Sequence, residues 1–239
     1  MVEHILDDES TEYLDVKTIS GDTIPSYMEA IKSLEKAVIF APSKSIYHKA
    51  LSDIYAKLGM WAEAMENMNA PLPAEALSSK KAFEAATGYL KTAINLEPTN
   101  PDYHLALGQF YDMSNGNISL AEKELAKALA AYPVNAPLRY AVARQHLLMG
   151  RKGDALEQAR ILANIDDGYI IPESIEKKLM AERRTSYYLS RLSGSYLFKA
   201  LEIAWRVSKD PEVVKGIAPD NPDAKEVLEL FLEWKGIEG

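Results

Sequence analysis

A rhythm of Ala, a large apolar residue, Ala and Pro, repeating at about 34 residues, constrains this chain more than any single residue does. The clearest copy is Ala86, Leu90, Ala93, Pro98, followed after Asn100 and Pro101 by His104, Leu107, Gly108 and Tyr111. A second is Ala121, Leu125, Ala128, Pro133, then Tyr140, Val142, Ala143 and Met149-Gly150. A third is Ala30, Leu34, Ala37, Pro42, then Tyr47, Leu51, Tyr55 and Leu58-Gly59. Helical hairpins with this spacing cannot bury their apolar faces alone and stack on copies of themselves.

The small residues Ala30, Ala86, Ala121 and Ala155 mark where one helix crosses its neighbour without side-chain bulk, and Leu34, Leu90 and Leu125 fill the space one turn on. Each Pro ends a second helix, because it lacks an amide donor and clashes with the preceding turn. The next helix then opens on Ser43, Asn100 or Asn135 as N-cap. The interval 133 − 98 = 35 carries one extra residue, which the turn Ser114-Asn115-Gly116-Asn117 is expected to absorb. The interval 98 − 42 = 56 is one period plus 22, and Asn69-Ala70-Pro71-Leu72-Pro73 breaks the chain inside it.

These residues resemble the tetratricopeptide repeat over residues 25–165, although the usual Trp early in the first helix is missing and His48 and His104 stand nearby. The resemblance implies an all-α, right-handed superhelical solenoid of hairpins. Three segments are expected: an irregular acidic N-terminal stretch (1–24), the repeat region (25–165) with an insertion near 69–80, and an atypical helical cap (166–239). Helical spacing in the last of these predicts helices over 173–191, 195–208 and 222–235, with Pro211 and Pro222 as punctuation, Asn221-Pro222 opening the last and Gly236 closing it.

The ends raise their own expectations. A chain that enters on the second helix of a hairpin is either capped irregularly or cut from a larger protein. The tail from Ser193-Gly194-Ser195-Tyr196 through Asn221-Pro222 to Trp234-Lys235-Gly236 is similar to the C-terminal ends of bacterial O-antigen ligase/polymerase-like membrane proteins that carry a tetratricopeptide region. That resemblance implies an extracytoplasmic accessory domain in surface-polysaccharide assembly, periplasmic and attached to a membrane portion. Without it the expected location is cytoplasmic.

Composition narrows the chemistry. With no cysteine, thiol catalysis, disulfides and zinc fingers are excluded, while the compartment stays open. No stretch reaches the roughly 18 apolar residues of a membrane helix, so this segment itself is expected to make no membrane contact. A net charge of −8 argues against nucleic acid, whose phosphates require a surplus of Lys and Arg on one face.

Candidate chemistry is sparse. His4, His48, His104 and His146 show no metal-site spacing, and His48 and His104 fall at packing positions. Asp112-Met113-Ser114-Asn115-Gly116-Asn117 is no calcium loop, since Gly116 is fifth and Lys123 stands where the loop needs Glu. Asp166-Asp167 reads as a helix-ending loop rather than an acid/base pair. No cofactor, metal or catalytic residue is expected, and the protein is read as no enzyme.

The tetratricopeptide resemblance places the ligand surface on the concave side, on the first helix of each hairpin. With Ser45, Pro101 and Ala136 as first positions, that surface comprises Lys49, Asp53 and Lys57; Leu105, Gln109, Asp112 and Met113; and Tyr140, Arg144 and Leu148. Chaperone-binding members clamp a carboxylate there with Lys and Asn. Here Lys49 and Arg144 supply charge, but Asp53, Leu105 and Tyr140 depart from the pattern, which fits a peptide or partner helix better. The reading is a protein interaction scaffold. Two others stand beside it: a glycan-binding domain stacking sugars on Tyr140, Trp61 or Tyr111, and a hydrolase built on His104 and nearby carboxylates.

Overall fold

The computed structural model describes residues 24–166, 168–169 and 192–237. Among them lie ten α-helices and no strand: α1 Ile24–Phe40, α2 Ser45–Asn67, α3 Ser79–Leu96, α4 Pro101–Asn115, α5 Ile118–Ala131, α6 Ala136–Leu148, α7 Lys152–Ile165, α8 Tyr196–Ser208, α9 Pro211–Lys215 and α10 Pro222–Trp234. The all-α fold of stacked hairpins expected from the repeat is the fold observed. The predicted helix over 173–191 and the segment 1–23 lie outside the described residues.

The chain forms two compact units, 1–124 and 125–239. In the first, Ser45 at the start of α2 donates its hydroxyl to Glu97 just past the end of α3. At the other end, Glu66 of α2 accepts from the Ser79 amide (3.0 Å) and hydroxyl (2.6 Å) at the start of α3. Bonds at both ends make the two helices antiparallel. The Ser45 hydroxyl also lies 3.1 Å from that of Tyr103, so α4 starts beside the start of α2. First helix, second helix and next first helix therefore follow one another in chain order. The seam is small as expected: Ala86, Leu90 and Ala93 are fully buried with Ala56 and Leu107 beside them. Each buried Leu of this kind contributes about 1.5–3 kcal/mol.

The 22 extra residues enter inside a hairpin. α2 runs straight through Leu58-Gly59, where the third hairpin turns at Met149-Gly150, and continues to Asn67. A Cβ on Gly59 would stand 3.0 Å from the Phe83 ring of α3, so the glycine serves a close helix crossing here rather than a turn. Trp61 and Ala62 on the extension are buried with Ile24 and Ile31 of α1, and Leu72 and Ala76 of the return loop pack on the same cluster. The insertion thus covers α1. Ser78 makes no side-chain cap bond at α3; the Glu66 carboxylate fills that role from α2, and its bonds to Ser79 hold it below the usual carboxylate range.

The extra residue of the second interval lengthens α4. Gly116, at φ 56, ends that helix 116 − 101 = 15 residues after its first position, whereas Gly150 follows Ala136 by 150 − 136 = 14. Asn117 then accepts from the Leu120 amide. Asn100 and Asn135 cap α4 and α6 as expected. Ser43 does not cap α2. In the other copies the cap is the second residue after Pro, and that residue here is Lys44, which makes no side-chain cap bond.

In the second unit α6 and α7 form a hairpin, and α8 packs against both. Asp166 ends α7 and accepts from the Leu197 amide of α8 at 2.8 Å and from Gly168 at 3.0 Å, a carboxylate at a helix N-terminus. Asp167 lies outside the described residues. α8 matches the predicted 195–208 helix and carries its N-cap on Ser195; α10 matches 222–235, opened by Asn221-Pro222. Gly236, at φ 73, closes α10, with the Gly236 and Ile237 amides bonded to the Glu233 and Leu232 carbonyls. The short α9 stands where the sequence showed only Pro punctuation, nucleated by Asp210, which accepts from the Glu212 amide. Phe198, Phe231 and Trp234 join α8 to α10, with ring centroids 5.1–5.8 Å apart.

Candidate functional site

In the first unit the expected ligand residues behave unequally. Lys49 and Asp53, one turn apart on α2, hold each other at 2.6 and 2.7 Å, so the predicted cation is already neutralised. Lys57 is exposed one turn further on. On α4, Leu105 is only 8% exposed and belongs to the core; Gln109 and Asp112 are half-buried and Met113 is exposed.

In the second unit the structure brings together what the sequence proposed and adds to it. Tyr140 and Arg144 share a face of α6, with the guanidinium 5.6 Å from the ring centroid of Tyr140. α8 contributes Tyr196, whose ring meets that of Tyr140 edge-on at 6.1 Å, and Lys199, whose ammonium lies 5.5 Å from the Tyr140 ring and 5.1 Å from the Tyr196 ring. All four side chains are half-buried. Leu148, one turn past Arg144, is 75% exposed. The capping role expected of the tail left Tyr196 and Lys199 outside the candidate residues; the local signal for their helix is Ser195, which caps it by accepting from the Phe198 amide.

The alternatives fare differently. Trp61 is buried in the α1–α2 core and presents no face to a sugar. Tyr111 lines a notch of about 600 Å³ with Glu63, Lys80, Phe83, Glu84 and Lys91, and the Lys91 ammonium sits 5.6 Å over its ring. His104 is 4% exposed, its Nδ1 2.7 Å from Glu124, and neither residue lines the notch. Among the described residues no three His, Asp or Glu side chains form a metal-holding cluster, and no helix is long and apolar enough to cross a membrane.

Each unit is thus built of helical hairpins whose geometry fits a tetratricopeptide-like repeat. No family model matches this chain, and no curated protein matches it. Two solved structures of MamA are similar. One is 18% identical with a TM-score of 0.40, covering 79% of this chain and 95% of that chain. The other is 16% identical with a TM-score of 0.41, covering 95% and 93%. At those values the likeness carries no argument about function, which rests on the chain's own residues.

Proposed function

We propose that this protein is a non-catalytic interaction scaffold that binds a segment of a partner protein on the face of α6. The observation that carries the reading is Arg144: it makes no ion pair among the described residues and is held over Tyr140, with exposed Leu148 one turn on. An aromatic, an Arg and an exposed Leu at four-residue steps are the anchors a docked segment uses. In the first unit, Lys57, Gln109 and Asp112 are that unit's proposed contribution.

The test is selection from a random peptide library on the full chain. Enriched peptides are expected to lose binding in Tyr140→Ala and Leu148→Ala while the helical circular dichroism is unchanged. No enrichment, or equal binding to the variants, defeats the proposal. The finer setting, an accessory domain in bacterial surface-polysaccharide assembly, rests on the resemblance read from the residues of the 193–236 tail and has no matching family model or curated protein beside it. Reading the genomic frame upstream of Met1 tests it: several apolar spans support the membrane-attached form and a stop codon removes it.

A further inference from the structure

The notch in the first unit shares no residue with the α6 face and has a chemistry of its own. Its volume of about 600 Å³ falls in the range of roughly 300–1,000 Å³ that small-ligand sites occupy. One wall exists because of the insertion: Glu63 stands on the extension of α2 past Gly59, and Lys80 lies in the first turn of α3, which Glu66 ties to that extension. Insertions into repeats often build the binding face. Along α3 the notch is lined by Lys80, Glu84, Thr87 and Lys91, at steps of four, three and four residues and hence on one face of the helix. Glu63, Lys80, Glu84 and Lys91 make no ion pair among the described residues, and the Thr87 hydroxyl makes no hydrogen bond among them. The Lys91 ammonium rests over the Tyr111 ring at 5.6 Å. Gly88, beside Thr87, is exposed, and a Cβ there would meet nothing within 4 Å, so the backbone of α3 is open to close approach.

These groups discriminate between classes of ligand. The two carboxylates and two ammoniums interleave, so a phosphate-bearing ligand meets Glu63 and Glu84 along with the lysines, and a cationic one meets the reverse. A protein segment needs a buried apolar anchor, and the rings that line the notch are Phe83, which closes on Gly59, and Tyr111. A sugar hydroxyl both donates and accepts. Neighbouring hydroxyls therefore satisfy a carboxylate and an ammonium together, while the C–H face of the sugar covers an aromatic ring. We infer that this notch binds a short neutral oligosaccharide. Glu63 and Glu84 accept from its hydroxyls, and Lys80 and Lys91 donate to them. One sugar ring lies on Tyr111 with the displaced Lys91 ammonium at its rim, and Gly88 lets the chain lie against the helix.

The experiment uses the full chain and saturation-transfer NMR with maltotriose, cellotriose and chitotriose as neutral probes and trigalacturonate as the acidic counterpart. At least one neutral trisaccharide is expected to receive saturation, with an affinity that salt leaves unchanged because the ligand carries no charge to screen. Gly88→Leu fills the notch from an exposed helix position and should weaken that binding about tenfold or more, with the helical circular dichroism unchanged. Glu84→Gln, also at an exposed position, should weaken it several-fold, as should Tyr111→Ala, whereas Tyr140→Ala should leave it as it is. No saturation transfer to any neutral probe, or transfer that Gly88→Leu leaves intact, overturns the inference. So does tighter, salt-sensitive binding of trigalacturonate, because the lysines then serve an anion. A library peptide whose binding Gly88→Leu abolishes overturns it as well, because the notch then holds protein. The α6 reading has separate tests in the Tyr140 and Leu148 variants and stands or falls without the notch.

Discussion

His104 Nε2 lies 2.9 Å from the carbonyl oxygen of Pro98, six residues upstream. The same relation recurs in the two other hairpins of the repeat region: His48 Nε2 stands 3.0 Å from the Pro42 carbonyl, and Arg139 Nε donates to that of Pro133 at 2.7 Å. A carbonyl only accepts, so each side chain supplies an N–H to a backbone oxygen that the finished helix cannot satisfy. The opposite side of each donor meets a residue three past the seam alanine of the second helix. His48 faces the Tyr89 ring at 6.2 Å, His104 Nδ1 meets Glu124 at 2.7 Å, and Arg139 bonds Gln158. An indole at this position offers the same N–H, so the missing Trp is replaced in chemical role.

Breaking the second of these pairs is expected to be costly from either side. His104→Ala leaves the Glu124 carboxylate, 7% exposed, without its imidazole and strips the Pro98 carbonyl of its donor. Loss of one member of a buried, hydrogen-bonded pair costs about 3–5 kcal/mol. Glu124→Gln keeps an acceptor at the same place, as Gln158 does for Arg139, and should cost about 1–2 kcal/mol. Urea midpoints of the two single variants and the double variant measure this. Additive losses would show that the pair is not coupled.

Alkaline titration tests the tyrosine cluster. Tyr55 and Tyr89 stack at 5.6 Å, and the Glu35 carboxylate lies close enough to act on both hydroxyls. Burial, then Glu35 and Tyr89, push Tyr55 from 10.0 up to about 12, and burial and Glu35 raise Tyr89. The unfolded chain releases these protons first, so stability is intact below pH 10 and falls as the pH rises toward 12. Absorbance at 295 nm should show a late-ionising phase that Tyr55→Phe removes. A single phase at the ordinary tyrosine value contradicts the cluster.

Repeats, caps and seam were legible because each depends on residue type at fixed local spacing: Ala86 against Leu90, or Asn100 two residues after Pro98. The continuous α2 was not, since Gly59 occupies the place of a turn and only the Phe83 ring of α3 shows that it serves a crossing. The Tyr140 and Arg144 face was legible for the same reason as the repeats. The contacts of that face with Tyr196 and Lys199 were not, because these residues lie more than 50 residues on in sequence and contact depends on how α8 packs. Neutralisation of Lys49 by Asp53 is written in their four-residue spacing, which puts the ammonium and the carboxylate on one face of α2.

Two glycines in helices should respond oppositely to alanine. Gly88 is exposed on α3, and an added Cβ meets nothing within 4 Å, so Gly88→Ala should stabilise by about 0.5–1 kcal/mol through backbone entropy. At Gly59 the same gain is opposed by contact with the Phe83 ring at 3.0 Å, and Gly59→Ala should be neutral or destabilising. Thermal melts decide it, and an equal gain at both sites would mean that α2 and α3 are not in close contact there.

Lys44 is the position where the repeat lacks its own device. It is the N-cap of α2 and makes no side-chain cap bond, whereas Asn100 accepts from the Asp102 amide at 3.1 Å and Asn135 from Leu138 at 2.8 Å. All three residues stand second after a Pro. A Lys ammonium cannot accept an amide proton, and its charge lies at the positive end of the helix dipole. Lys44→Asn should therefore stabilise by about 0.5–1 kcal/mol, and Lys44→Asp by somewhat more at low salt. Asn135→Ala should lose about 1 kcal/mol by the same argument in reverse. Chemical denaturation of the three variants in low and high salt separates the hydrogen bond, common to Asn and Asp, from the charge, which belongs to Asp alone. If neither substitution raises the midpoint, the backbone at Lys44 is held by Pro42 and the neighbouring turn rather than by a vacant cap.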